Sequence, residues 1–396
     1  MSGDGILDLV ESSGPTVLLG DGNGGFGPPA TYALGGAFAE IGYFNSDRKP
    51  DVVAAHFSEI DVAFGGRDGA FKAPIEYPVE GTTRDAADFN GDGNTDVIAS
   101  GLRKLFFVPG VGDGSFATAI RAATVSGEVK DLVAADLNGD DKFDIIFTQF
   151  SDKEIYTMLG NGDGTFQGVQ TTLQRGLELS PPALADFNHD GHTDAALTDL
   201  LDDELEILLG NGDGSFEPAS NIPTGDAPQF ATVADFNLDD NPDVAVSNTV
   251  AGTIGVYLGN GDGTFAAPLN TDTPNPISSV AADLNEDGKA DLVVAGDGVN
   301  VFLGKGDGTF EPAQTIYSGS GSVKIADVDQ DGRLDIAVGA FEALAVLRGL
   351  GDGTFRAAVE FPPGAEGVVL TDLNHDSLPE AIDGPLTVLR NISGRN

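Results

Sequence analysis

The sequence contains no cysteine and no tryptophan, and only two methionines in 396 residues. Without cysteine there are no disulfides, no thiolate nucleophile and no cysteine-held metal. Positive charge is also scarce: 20 lysines and arginines stand against 63 aspartates and glutamates, a net charge of −43. Such a chain is repelled by polyanions, so nucleic acid and anionic membranes are excluded as partners. No apolar run reaches the roughly 18 residues of a membrane-spanning helix, and no basic segment followed by an apolar one opens the chain. Sustained helical periodicity is missing. So are HExxH, a nucleophile elbow and a Gly-rich dinucleotide fingerprint.

What is present is one unit, repeated. ADFNGDGNTDVI (87–98) returns as ADLNGDDKFDII (135–146), ADFNHDGHTDAA (185–196), ADFNLDDNPDVA (234–245), ADLNEDGKADLV (282–293), ADVDQDGRLDIA (326–337) and TDLNHDSLPEAI (371–382). The first aspartates are 44 to 50 residues apart. A worn copy, YFNSDRKPDVV (43–53), precedes them, and half a copy, SGDGILDLV, opens the chain. MSGDGILDLV thus reads as a repeat entered part-way, which points to a removed upstream segment. A second motif alternates with the first, from LLGDGNGGF (18–26) through LGNGDGTF (159–166) to RGLGDGTF (348–355). The 55 glycines follow no collagen triplet and fit tight turns.

Each period carries four short apolar runs bounded by Gly, Asp and Asn, which reads as four strands. Around the first full acidic loop the expected strands are 83–88, 96–100, 104–108 and 116–121. Four strands per period of this length imply all-β propeller blades that bury their faces on each other. The acidic loop joins strand 1 to 2 and the GDG turn joins 3 to 4. The expected fold is a single β-propeller domain over 1–396: a partial blade at 1–35, full repeats over about 36–364 and a closing partial repeat at 365–396. Eight blades fit best, with one shared between the termini and two strands surplus. A seven-bladed ring is the alternative and leaves more strands over.

The acidic pattern places oxygen at loop positions 1, 3, 5 and 9, with a backbone carbonyl at 7. Hard oxygen donors around a sharp Gly turn suit Ca²⁺, and suit Mg²⁺ less well because it demands a rigid octahedron. The expected ligands are Asp88, Asn90, Asp92 and Asp96, with the carbonyl of Asn94. Their equivalents are Asp136, Asn138, Asp140 and Asp144, then Asp186, Asn188, Asp190 and Asp194 with the carbonyl of His192. Next come Asp235, Asn237, Asp239 and Asp243 with Asn241, and Asp283, Asn285, Asp287 and Asp291 with Lys289. Asp327, Asp329, Asp331 and Asp335 with Arg333 form the most charged set, and Asp372, Asn374, Asp376 and Glu380 the last. Up to about seven Ca²⁺ ions are therefore expected. The competing reading is an Asx-turn hairpin whose carboxylates bond their own backbone. Asp141 and Asp240 stand where glycine is expected, so strain is expected there. Tyr43 and Arg48 should leave the worn copy empty. These loops and the GDG turns hold over half of all the acids, so the acidity belongs mainly to the motifs.

In the GDG turns the glycines should supply positive φ, the aspartate should bond turn amides, and the closing phenylalanine should pack between blades. Of the four histidines, His189, His192 and His375 fall at loop positions expected in solvent, and His56 is the one catalytic candidate. The 1–2 and 3–4 loops are nearly constant, whereas the 2–3 and 4–1 loops vary and share the other face. Variable loops on a rigid scaffold are where recognition sits. Arg84, Arg103, Lys104 and Lys130 fall there in neighbouring repeats. They form a candidate patch for an acidic polysaccharide or carboxylate, against a bland reading as scattered solubilising charge.

The two alternating motifs, DFNGDGNTDVI and LGNGDGTF, resemble the FG-GAP-like or VCBS repeat, which is related to the propeller of integrin α subunits. The resemblance spans essentially the whole chain. It implies a propeller with Ca²⁺ in the strand 1–2 loops, in an extracellular, secreted or cell-surface protein. Integrin heads have seven blades, so the count here departs from theirs. The family includes adhesion modules, mushroom lectins and some polysaccharide lyases, so fold alone does not choose a function. The expectation is a monomeric, non-enzymatic recognition module for a protein or glycan. A polysaccharide lyase and a structural module of a larger surface protein are the alternatives.

Overall fold

The computed structural model describes residues 83–361 except 102, 113–114, 151–153, 174–177, 328–330 and 341–343. Outside that span it describes the strands Asp8–Glu11, Thr16–Leu18, Ala30–Thr31, Phe38–Gly42, Asp51–Ala55, Ile60–Ala63, Ile75–Tyr77 and Val368–Thr371. Among the described residues every regular element is a strand.

The sheet at 83–124 shows the unit. Thr83–Ala87, Asp96–Gly101, Lys104–Val108 and Ile120–Thr124 pair antiparallel in chain order. The second strand is buried along its whole length, whereas the fourth is largely exposed. A strand buried on both faces reads as a continuous apolar run, and VIA (97–99), IIF (145–147) and LVV (292–294) have that form. The fourth strand differs from expectation, starting at Ile120 where 116 was anticipated. Phe116 makes a single bridge to Gly110 and closes the turn, and the ladder proper begins at Phe107↔Ile120.

Five more sheets, at 129–173, 183–223, 228–272, 278–317 and 321–361, repeat this order. Each covers the next with interdigitating side chains. Val133, Ile146 and Ile155 of one sheet pack on Leu197, Leu208 and Phe216 of its successor. Ile207 then meets Val246 and Tyr257, and Val256 meets Val294 and Phe302. Burying each such side chain stabilises by roughly 1.5–3 kcal/mol, so no sheet has a reason to stand alone. Polar ties add register. Asp85 Oδ2 accepts from the Ala134 amide at 2.7 Å across two neighbouring first strands. Burial pushes its carboxyl up to about 6.

Two further sheets flank these six. One is formed by Phe38–Gly42, Asp51–Ala55, Ile60–Ala63 and Ile75–Tyr77. In the other, Val368–Thr371 pairs antiparallel with Asp8–Glu11 in the register Asp8↔Thr371 to Glu11↔Val368, and Thr16–Leu18 and Ala30–Thr31 follow. The chain's start thus supplies the second, third and fourth strands of a sheet whose first strand comes from near its end. Two surplus strands were expected at one end or the other, and residues 1–7 and 372–396 lie outside the described residues.

Candidate metal loops and the opposite loop face

Each acidic loop is wound around its own aspartates. Asp88 accepts from the amides of Gly91 at 2.8 Å, Asp92 at 3.2 Å and Gly93 at 2.8 Å. Asn90 Oδ1 accepts from Asp92 N at 2.9 Å, and Asp92 Oδ1 from Asn94 N at 2.8 Å. Asp136, Asn138 and Asp140 repeat these bonds, as do Asp235, Asn237 and Asp239. Asp186, Asn188 and Asp190 keep the bonds to the amides of positions 5, 6 and 7, as do Asp283, Asn285 and Asp287. Asp327 accepts from Gly332, and Asp331 from Arg333. Asp329 and the set Asp372, Asn374, Asp376 and Glu380 lie outside the described residues, as does the worn copy's loop.

The winding needs two left-handed residues. At position 6 these are Gly93 (φ 84°), Asp141 (61°) and Asp240 (65°), so the strain expected of the two aspartates is present. At position 4 they are Gly91, Gly139, His189, Leu238 and Glu286, which the sequence pattern did not reveal.

Position 9 has a different task. Asp96, Asp144, Asp194, Asp243 and Asp291 are wholly buried. In Asp243, Oδ2 accepts from Phe236 N and Oδ1 from Gly259 N, both at 2.8 Å. Asp96, Asp144, Asp194 and Asp291 make the same two bonds, and Asp335 accepts from Gly349 N at 2.8 Å. This aspartate staples the acidic loop to the GDG turn of its own sheet. Burial pushes Asp96, Asp144 and Asp243 up to about 6, and the position 5 and position 1 carboxylates add to the rise.

Position 7 also places a side chain over the first glycine of that same turn. A Cβ on Gly212 would stand 2.3 Å from the His192 ring, and one on Gly112 2.3 Å from Asn94 Oδ1. Lys142, Asn241, Lys289 and Arg333 cover Gly162, Gly261, Gly306 and Gly351 likewise. Lys142 and Lys289 also reach position 5, at 2.9 Å from Asp140 and 2.8 Å from Asp287, and these bonds lower the aspartates' pKa. His189 is exposed, as expected, and its Nε2 also donates to Asn241 Oδ1 of the next acidic loop at 2.7 Å. His192 is half-buried against its glycine. The half-burial of His192 follows from the close approach of its loop to the turn.

The GDG turns behave as expected. Asp163 Oδ1 accepts from Thr165 N at 3.0 Å and Oγ1 at 2.5 Å, and Gly162 and Gly164 hold φ 73° and 78°. Described turns also dock on the preceding sheet's acidic loop. Gly164 N donates to Phe89 O at 3.2 Å, while Phe166 lies 5.8 Å from the Phe89 ring. Phe187 with Phe265, and Phe236 with Phe310, repeat the pairing.

Chemically, the acidic loops offer only hard oxygen, the donor set Ca²⁺ favours. Their oxygens are turned toward backbone amides, however. Among the described residues no three Asp, Glu or His side chains converge closely enough to hold a metal. The Asx turns are what the described loops show; the donor type alone is the one a hard cation takes.

The opposite face carries the 2–3 and 4–1 loops. Arg103 is exposed there at φ 59°. Lys104 lies over the Phe106 ring at 5.8 Å, and Lys130 Nζ donates to Leu179 O of the next sheet at 2.5 Å. Arg84 sits on the strand Thr83–Ala87, but its side chain, like His56 and His375, lies outside the described residues. Lys130 therefore serves as a strut between sheets. Sequence reasoning also missed Glu206, which is fully buried on Glu204–Leu208 with both carboxylate oxygens unpartnered among protein groups. Burial, reinforced by Asp199, raises its pKa to about 7.

A family model described as the FG-GAP-like repeat matches seven overlapping segments: 43–99, 88–147, 136–197, 186–246, 235–294, 283–338 and 327–382. No curated protein matches the sequence. Among solved structures the chain is similar to an Agrocybe aegerita lectin recognising non-reducing terminal N-acetylglucosamine. The TM-score is 0.57 at 21 % identity, covering 85 % of this chain and 99 % of that one. It is also similar to the dihydro-heme d1 dehydrogenase NirN (TM-score 0.62, 13 % identity, 94 % and 75 % covered). A functionally unknown protein from Desulfotomaculum acetoxidans matches at 0.53 and 12 %, over 81 % and 98 %. At these identities the likeness speaks for a propeller-like fold alone.

Proposed function

Because the chain belongs to the FG-GAP-like repeat family, we propose that it is a Ca²⁺-stabilised propeller of eight four-stranded blades that recognises a protein or glycan outside the cell and catalyses no reaction. The observation that carries this reading is the division between its two loop faces. One face repeats the same aspartate and glycine bonds from sheet to sheet. The other differs in every repeat, as a recognition surface does.

Ca²⁺ is supported by the all-oxygen donor set and by the crowding of carboxylates at positions 1, 5 and 9. When bound, the ion would supply positive charge among them. Asp88 and Asp92 and their equivalents, with the buried position 9 aspartate behind them, would hold it. Extracellular modules bind Ca²⁺ with modest affinity, which such a setting can saturate. Monomeric behaviour follows if the ring closes on itself.

Ring closure is supported by the mixed sheet of Val368–Thr371 with Asp8–Glu11. The absence of native cysteine gives a clean test. Val10 and Val369 are register partners, so Val10→Cys/Val369→Cys should form an intramolecular disulfide on mild oxidation. A pair that stays reduced would count against the closed ring.

For the function itself, the chain should be incubated with neutral and acidic polysaccharides at millimolar Ca²⁺. We expect saturable binding to a glycan or protein, with no new reducing ends and no unsaturated products. Turnover that His56→Ala abolishes would instead establish a lyase.

A further inference from the structure

Exposed large apolar side chains also occur singly on the acidic-loop face, at Leu238 and Val111; where neighbouring loops bring several together, they are a candidate docking surface. Phe150 (59 % exposed), Leu201 (55 %) and Val250 (67 %) stand in the 2–3 loops of three successive sheets. Ile277 (41 %) stands in the 4–1 loop leading into the sheet after them. All four lie on the face away from the acidic loops.

Hydrogen bonds join these loops into one belt. Phe150 N donates to Glu128 O at 3.0 Å, and nearby Lys130 reaches Leu179 O in the next sheet. Leu200 N donates to Glu178 O at 3.2 Å. Ala227 N donates to Asp203 Oδ1 at 2.8 Å, and Ala227 O accepts from Thr249 N at 2.9 Å. Thr249 Oγ1 donates to Pro276 O at 2.5 Å, beside Ile277. Asp203, Ala227 and Asn275 are held left-handed at φ 56°, 55° and 45°. Such conformations persist only where surrounding bonds over-determine them, and they cluster at binding surfaces.

Charge decides the occupant. Around Leu201, Val250 and Ile277 no lysine or arginine occurs between residues 176 and 288, and Asp202 and Asp226 are exposed beside these tips; Phe150 lies outside that stretch, with Lys153 following it in sequence. From this combination we infer that the tips of Phe150, Leu201, Val250 and Ile277 form a docking surface for a cationic polypeptide segment that carries apolar side chains between its lysines or arginines. An acidic glycan is repelled here, and a neutral sugar finds aliphatic tips where stacking wants flat aromatic platforms. The inference rests on the reading of this face as the recognition face, and it narrows the partner to a class.

The test is selection of a displayed library of random 12-residue peptides on the full chain, with counter-selection on Phe150→Ser/Leu201→Ser/Val250→Ser. A glycan panel is run on the same two proteins. Melting curves with and without Ca²⁺ confirm that the variant folds as the parent does. Asp202→Asn/Asp226→Asn provides a second variant that keeps the apolar tips. The expected peptides combine Lys or Arg with Leu, Ile or Phe. They bind the tip variant at least tenfold more weakly, and the charge variant at least threefold more weakly. Peptides of acidic composition, binding indifferent to the tip variant, or recovery of none that depends on the tips would each overturn the inference. So would self-association that the tip variant abolishes. Tip-dependent binding of a glycan would overturn it while leaving the recognition reading intact. Loss of every tip-dependent ligand, peptide and glycan alike, would remove both.

Discussion

Among single residues, Asp243 and its equivalents carry more of the structure than their place in an acidic pattern suggests. The pattern made the oxygens legible, since aspartates at fixed spacing survive any change of register. It could not reveal that position 9 is buried and bonded to a glycine some 16 residues on, because that partner is set by the hairpin between them. The left-handed position 4 was equally hidden, since His189, Leu238 and Glu286 occupy it as readily as glycine does. Glu206 gives no sequence signal at all, being one acid among 63. Its carboxyl ordinarily titrates at 4.5 and here at about 7. Between those values the folded chain holds a proton that the unfolded chain has lost. Stability from this site therefore falls as pH rises from about 4.5 to about 7, and levels off above. Glu206→Gln removes the ionisable group and should raise stability at pH 7.5 by about 1–3 kcal/mol, with little change at pH 4.5. Denaturant unfolding at the two pH values measures it. An unchanged pH dependence would mean that Glu206 finds a partner in solution.

Loops and turns are where the sheets interlock. Four strands per repeat were readable from short apolar runs between turn residues, and the acidic loops and GDG turns fall where those runs imply. The fourth strand was misplaced because Phe116 looks like a strand residue yet spends itself on one bridge to Gly110. The docking of turns on the preceding acidic loop was not legible, because contact between repeats leaves no mark within one repeat. It makes a prediction about two glycines of similar φ. At Gly93 (φ 84°) an added Cβ meets open space, whereas at Gly164 (φ 78°) it would lie 2.3 Å from the Phe107 ring of the neighbouring sheet. Gly93→Ala should cost about 1 kcal/mol, for backbone alone. Gly164→Ala should cost about 2–4 kcal/mol, because overpacking is added to that strain. Equilibrium unfolding of the two variants separates the terms, and equal costs would mean that the turns do not interlock.

On the scale of the whole molecule, repetition turns a modest local bond set into a large structure. The period and the half-copy at the start were enough to anticipate a sheet shared between the two ends of the chain, and Asp8–Glu11 does pair with Val368–Thr371. What repetition could not say is which ligand the variable face takes, because that face is where the copies disagree. It also could not say whether the acidic loops hold their aspartates for backbone amides alone or for a cation as well. A cation bound only by the folded state stabilises it by mass action, about 2.7 kcal/mol for one site at a hundredfold excess over Kd. Several such sites should add visibly. The decisive measurement is a thermal melt of the full chain at low salt and pH 7.5, first in chelator and then across increasing Ca²⁺, with calorimetric titration of the chelated protein alongside. The account predicts a melting temperature that climbs with Ca²⁺ concentration, binding of several ions per chain, and a weaker response to Mg²⁺. A melting temperature indifferent to chelator and Ca²⁺, with no heat of binding, would contradict it and leave the aspartates as backbone clips alone.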